Sequence, residues 1–229
     1  MNLFVVQPIL TSYRKKLFDD LSDNFHKVDI YSDTNIENGF KKDVQGKFNS
    51  IHTPFIGKRE KIYYQSGIVS SILKNRPTAI YLSADFRALH YFIILIIAKI
   101  LNIPIFPHGQ SLFNKPNPSL IHRILFKTTI WLSSSYICYT KSAAQTLIDI
   151  GISPNKLSIM DNTIINDYPI TIDDKIDVQD KLLYIGRLRK GSNLELLFNA
   201  MKIVEGTKLI IRGKTYEENI NYISLLCTL

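Results

Sequence analysis

The ten residues Leu183-Tyr184-Ile185-Gly186-Arg187-Leu188-Arg189-Lys190-Gly191-Ser192 carry the strongest fold signal in the chain. An apolar run ends in glycine, a basic loop follows, and an amphipathic stretch over residues 193–204 begins after Ser192. That order predicts a strand, a turn and a helix, with Ser192 as the N-cap. Such a junction holds the parts that phosphate binding requires: close backbone approach at glycine, guanidinium groups for paired hydrogen bonds, and free N–H groups at a helix start. A solvated basic turn of Arg187, Arg189 and Lys190 would read the same way, so the spacing alone leaves both accounts open.

Outward from this junction the same alternation recurs. Downstream it predicts a strand over residues 208–212 and a helix over 216–226. Upstream, Pro169 and the acidic run Asp173-Asp174-Lys175-Ile176-Asp177 interrupt the rhythm and read as a linker. Before the linker, strands are expected over residues 3–7, 28–31, 48–53, 79–83, 103–107, 136–139 and 157–160. Amphipathic segments at 13–23, 60–74, 86–101, 118–132 and 142–150 lie between most of them. Strands alternating with helices of this length predict right-handed βαβ units and a parallel sheet, an α/β fold. Ala79-Ile80-Tyr81-Leu82 is apolar on both faces, as a strand covered on both sides should be. The expected organisation is an N-terminal Rossmann-like domain over 1–165, a linker over 166–180 and a partial second Rossmann-like domain over 181–229.

Composition narrows the function classes. Hydrophobic residues make up 45% of the 229 and charged residues 21%, enough to bury a core and too apolar for disorder. Cys138 and Cys227 lie far apart without a paired spacing, which argues against a disulfide framework or zinc and fits a reducing cytoplasm. The longest apolar run, residues 91–106, is broken by Lys99, Asn102 and Pro104, so no spanning helix is expected. A net charge of +8 suits anionic partners such as a phosphorylated ligand or the inner face of an anionic membrane. No zinc finger, basic helix or RNA-binding motif accompanies that charge, so nucleic acid is not expected as a partner.

Several blocks resemble one family in order. Tyr184-Ile185-Gly186-Arg187-Leu188, then Lys190-Gly191 and Lys208-Leu209-Ile210-Ile211-Arg212-Gly213, are similar to the start of the C-terminal domain of family 4 (group 1) retaining glycosyltransferases of the GT-B fold. Gly151-Ile152-Ser153-Pro154-Asn155-Lys156-Leu157 and Asn162 resemble the end of that family's first domain. Gln7-Pro8-Ile9-Leu10-Thr11-Ser12-Tyr13-Arg14 resembles the opening loop of bacterial surface-polysaccharide transferases. The likeness runs over nearly the whole chain and is strongest across residues 136–213.

The resemblance implies hexosyl transfer from a UDP- or GDP-sugar, with retention, to a surface-polysaccharide or lipid-linked glycan acceptor, without a metal or other cofactor. It places Gly186, Arg187, Lys190 and Gly191 on the donor diphosphate. Two fixed cations there would stabilise the charge that builds as the sugar leaves. The loop here is one residue shorter than is usual between the arginine and the lysine-glycine pair. His108, after the expected strand and followed by Gly109 and Gln110, resembles the family's histidine near the reacting sugar. The blander account is a histidine satisfying loop carbonyls. His26, His52, His90 and His122 read as structural.

Other candidates rest on position. Asp85, after the strand at 79–83, could touch a sugar hydroxyl or cap the next helix, and capping is the stronger reading. Tyr13, Arg14, Lys15 and Lys16 could receive an acceptor phosphate or form the exposed first turns of a helix. Lys58, Arg59 and Lys61 could meet lipid phosphates, and the loop from Asn114 to Pro118 could line the acceptor side. The family's pair of glutamates spaced by seven residues is not found, since only the adjacent Glu217-Glu218 follow Arg212. A truncated transferase with weak or no activity is therefore expected. The alternatives are a non-catalytic acceptor- or membrane-binding remnant, or one half of a transferase completed by a partner chain. A dinucleotide-dependent redox enzyme is disfavoured because no GxGxxG follows the first strand.

Overall fold

The computed structural model describes residues 1–33, 44–58, 61–112, 117–161, 180–186, 188–189 and 192–213. The chain divides into two compact units, Met1–Asn166 and Asp167–Leu229.

The first unit is built on a parallel sheet of seven strands: β1 (Asn2–Val6), β2 (Lys27–Ser32), β3 (Asn49–His52), β6 (Ala79–Ser83), β7 (Ile105–Gly109), β8 (Tyr136–Cys138) and β9 (Leu157–Ile159). Their spatial order is β3-β2-β1-β6-β7-β8-β9. The chain winds outward from β1 in one direction and returns to β6 to wind in the other, so the order reverses between β1 and β6. In doubly wound sheets the ligand crevice opens at the carboxyl ends of the strands flanking such a reversal. The central strands are covered on both faces. Leu3, Val5, Val28 and Ile30 pack with Phe18 of α1 (Lys15–Asn24) on one side. Phe4, Val6, Ile80 and Leu82 pack with Ile72 of α2 (Ile68–Asn75) and Tyr91 and Ile94 of α3 (Leu89–Ile100) on the other. Each such fully buried aliphatic side chain contributes about 1.5–3 kcal/mol.

Helix starts follow local chemistry. The Ser119 side chain caps α4 (Leu120–Leu132) and that of Thr140 caps α5 (Lys141–Ile148), accepting from the backbone N–H groups of His122 and Ala143. The segment expected as one helix over 60–74 differs. An antiparallel hairpin of β4 (Phe55–Gly57) and β5 (Tyr63–Gln65) precedes the shorter α2. Gly57 and Gly67 take positive φ of 97° and 84°, which turns the chain twice where a helix would run straight. The Phe55 and Tyr63 rings meet at 4.8 Å across the hairpin. His108 likewise lies within β7 rather than after it.

The second unit contains β10 (Lys181–Ile185), α6 (Leu194–Met201) and β11 (Lys208–Arg212), with β10 and β11 parallel. Leu183 and Ile185 of β10 are exposed, while Leu194 of α6 is buried. Among the described residues no helix is long and apolar enough to cross a membrane.

Candidate functional site

At the carboxyl ends of β1, β6, β7 and β8 lies an open pocket of about 580 Å³, walled by Pro8, Asp85, Arg87, His108, Ser111 and Tyr139 among others. It stands beside the reversal in strand order. Parallel strands bring together here residues that are 125 apart in sequence.

Arg14 is the first of these. It ends a 3-10 turn, Ser12–Arg14, and is half-buried. One guanidinium nitrogen donates to Gln7 Oε1 at 2.8 Å and another to the Tyr139 hydroxyl at 3.0 Å. Its sequence neighbours part from it. Lys15 and Lys16 pair with Asp19 and Asp20 one helical turn on, and Tyr13 is exposed. The basic cluster Tyr13–Lys16 is thus split, with Arg14 alone joining the sheet's end.

His108 forms part of the pocket wall and is 2% exposed. Its Nδ1 shares a short hydrogen bond with the Tyr81 hydroxyl, and its ring packs 4.4 Å from that of Tyr139. Burial first, and the nearby Arg14 guanidinium second, push its pKa down to about 3, so the imidazole is neutral near pH 7. Its Nε2 is buried without a hydrogen-bond partner, as is Nε2 of Gln7. The account in which His108 satisfies loop carbonyls does not hold: its one side-chain partner is a phenol.

Gly109 is closely surrounded. A Cβ there would lie 2.8 Å from the buried Tyr136 hydroxyl and 3.0 Å from the Ala84 Cβ, so glycine makes room for the protein's own side chains. Gln110 is exposed at the pocket wall. Asp85 is not the N-cap of α3, a position held by Ala88 without a side-chain bond. Its carboxylate accepts from the Arg87 backbone N–H at 3.1 Å, from the Arg87 guanidinium at 3.0 Å and from the Tyr63 hydroxyl at 3.2 Å. Burial raises its pKa, and the bonds from Arg87 and Tyr63 outweigh that, leaving it below the usual carboxylate value. Asp85 thereby fixes the turn at the pocket rim.

Sequence reasoning missed Tyr139, Tyr81 and His122. Tyr139 and Tyr81 are ordinary core-like tyrosines in sequence, and only the strand order makes them meet Arg14 and His108. His122, read as structural, reaches the pocket wall and bonds the Ser119 hydroxyl at 2.7 Å. Ser111 carries a signal invisible in sequence: a non-glycine residue with φ of 58° beside the pocket, of the kind that clusters at functional sites.

In the second unit, Arg187, Lys190 and Gly191 lie outside the described residues, as do Arg59, residues 114–116 of the expected acceptor loop, and Cys227. Gly186 follows β10, and a Cβ there would fall 2.8 Å from the Tyr184 hydroxyl. Ser192 is not the N-cap of α6. Asn193 takes that place with φ of 52° and no side-chain bond. Gly213 meets Gly186 so closely that a Cβ would sit 1.9 Å from the Gly186 carbonyl oxygen.

No protein-family model matches the chain, and no curated protein does. Solved structures do. HepE from Anabaena, crystallised with UDP and glucose, matches 100% of this chain and 65% of its own with a TM-score of 0.66 at 12% identity. A glycosyltransferase from Rickettsia africae matches 99% and 64%, at 0.67 and 12%. The lipopolysaccharide outer core galactosyltransferase WaaB matches 100% and 64%, at 0.61 and 12%. This chain therefore has a GT-B-like α/β fold, and HepE is also solved in complex with UDP and with UDP-glucose. It spans about 65% of the length of HepE.

Proposed function

We propose that the chain serves glycosyl transfer from a nucleotide sugar. The observation that carries this reading is the pocket at the strand-order reversal, walled by His108, whose buried Nε2 has no hydrogen-bond partner, in a fold shared with a UDP-glucose complex. Retaining hexosyl transfer to a surface-polysaccharide or lipid-linked glycan is the form of the reaction that the sequence resemblance favours.

In this reading Gly186, Arg187, Lys190 and Gly191 hold the donor diphosphate, and the two cations stabilise its developing charge without a metal. Neutral His108 supplies a hydrogen bond rather than a proton or a charge. Arg14 and Tyr13 face the acceptor, with Arg14 held in place by Gln7 and Tyr139. Asp85, Gly109 and Gln110 shape the pocket rim.

The test is calorimetric titration of the chain with UDP, UDP-glucose, GDP and GDP-mannose. Binding of one nucleotide series, weakened at least about tenfold by Arg187→Ala, is the expected result, since a charge-assisted bond is worth roughly 1.5–3 kcal/mol. Absence of binding to all four at millimolar concentration sinks the donor assignment. Transfer of labelled sugar to a lipid-linked glycan then reads activity separately from binding.

A further inference from the structure

Helices α3 and α4 carry matching outer stripes. On α3, Leu89, Ile93, Ile96 and Ile100 follow spacings of four, three and four, which hold them on one face. All are exposed, Ile100 by 71%. On α4 the same spacings set Leu120, Ile124, Lys127 and Trp131 in line, with Trp131 69% exposed. Both helices cross between neighbouring parallel strands, β6 to β7 and β7 to β8, so they lie side by side. Lys99 of α3 reaches over the Trp131 ring at 5.8 Å and joins the two stripes into one surface.

The charge on this surface has one sign. Lys99, Arg123 and Lys127 are exposed on these helices, and residues 86–148 include no aspartate or glutamate. Two copies of the face would bring like charges together, which disfavours self-association. Aliphatic side chains, a tryptophan and lysine or arginine heads are the composition that seats an element in the interfacial layer of a bilayer with anionic headgroups. From this juxtaposition we infer that the α3–α4 face docks on an anionic lipid surface, inserting Ile96, Ile100, Ile124 and Trp131 while Lys99, Arg123 and Lys127 meet lipid phosphates.

This placement differs from the basic residues Lys58, Arg59 and Lys61 singled out in the sequence. Lys58 and Lys61 lie in the turn between β4 and β5, away from both helices in sequence, where Ile56 and Ile62 are exposed but belong to no helical stripe. The inference does not depend on the nucleotide-sugar reading.

Trp131 is the sole tryptophan of the chain, so its emission reports on this face directly. The unaltered protein is mixed with vesicles of phosphatidylcholine alone or with phosphatidylglycerol, with and without brominated acyl chains. The expected result is a blue shift and bromine quenching only with phosphatidylglycerol, weakening as salt is raised. Arg123→Gln and Lys127→Gln each weaken partitioning about fivefold, and Ile96→Ser with Ile124→Ser abolishes quenching while the circular dichroism spectrum is unchanged. Unshifted, unquenched emission with anionic vesicles overturns the inference. So does co-sedimentation with vesicles while Trp131 stays water-exposed, which places the contact elsewhere. A blue shift that grows with protein concentration without lipid means self-association, and also overturns it.

Discussion

The guanidinium of Arg14 donates to the Tyr139 hydroxyl at 3.0 Å, tying the turn after β1 to the residue that follows β8. Gln7 holds the other side of the same guanidinium. Arg14→Ala removes both bonds and is expected to lower stability by about 1–3 kcal/mol. Arg14→Lys keeps the charge but lacks the fork that spans two partners, so it recovers only part of the loss. Urea unfolding of the three proteins checks this. Equal midpoints would mean that the bridge does not persist in solution.

The two buried histidines make stability depend on acid. His90 accepts the Gln65 backbone N–H at 3.1 Å, and burial pushes its pKa down to about 4. Unfolded imidazole takes up a proton near pH 6.5, and the native ring does so only near pH 4 for His90 and pH 3 for His108. Between those values the unfolded state binds more protons, so stability falls as the pH drops below 6.5 and levels off below the native pKa. Each histidine contributes a slope of up to ~1.4 kcal/mol per pH unit. Unfolding free energies at pH 7 and pH 4.5 should differ less in His90→Gln than in the unaltered protein. An unchanged difference would mean that His90 titrates alike in both states.

A neutral His108 leaves its mark on the reaction as well. Under the proposed function, the rate of sugar transfer carries no acid limb near pH 6.5 that is owed to this side chain. His108→Gln lowers turnover at every pH without changing the shape of the profile. A limb near pH 6.5 that vanishes in the variant would show a solvated, titrating ring.

Gly109 is set by its neighbours. Gly109→Ala drives a methyl group to 2.8 Å from the Tyr136 hydroxyl and 3.0 Å from the Ala84 Cβ. Overpacking of this kind costs roughly 1–3 kcal/mol and lowers the melting temperature by several degrees. Differential scanning calorimetry reads the shift. A variant that melts like the parent would mean that Tyr136 moves aside without cost.

Much of the α/β fold was legible because the signals are local. Continuous apolar runs such as Ala79-Ile80-Tyr81-Leu82 mark buried parallel strands, and β6 and β11 begin and end where the sequence places them. The hairpin at Phe55–Gly57 and Tyr63–Gln65 escaped because its paired strands are three residues each, too short for a period to register against the helix that follows. Asp85 and Ser192 looked like caps because both residue types often are. The backbone placed the real N-caps at Ala88 and Asn193, where no side chain helps.

By itself the sequence determined a doubly wound α/β chain with a basic strand-to-helix turn at Gly186 and a histidine at the end of a strand, since patterning and turn chemistry are properties of neighbours along the chain. Tertiary structure alone decided that Arg14 leaves its basic cluster to meet Gln7 and Tyr139, that His108 is buried and neutral against Tyr81, and that Leu89 to Ile100 and Leu120 to Trp131 share one surface. Those outcomes depend on strand order and burial. Both arise only when segments as far as 125 residues apart are brought within a few ångströms, where desolvation and geometry replace propensity as the deciding terms.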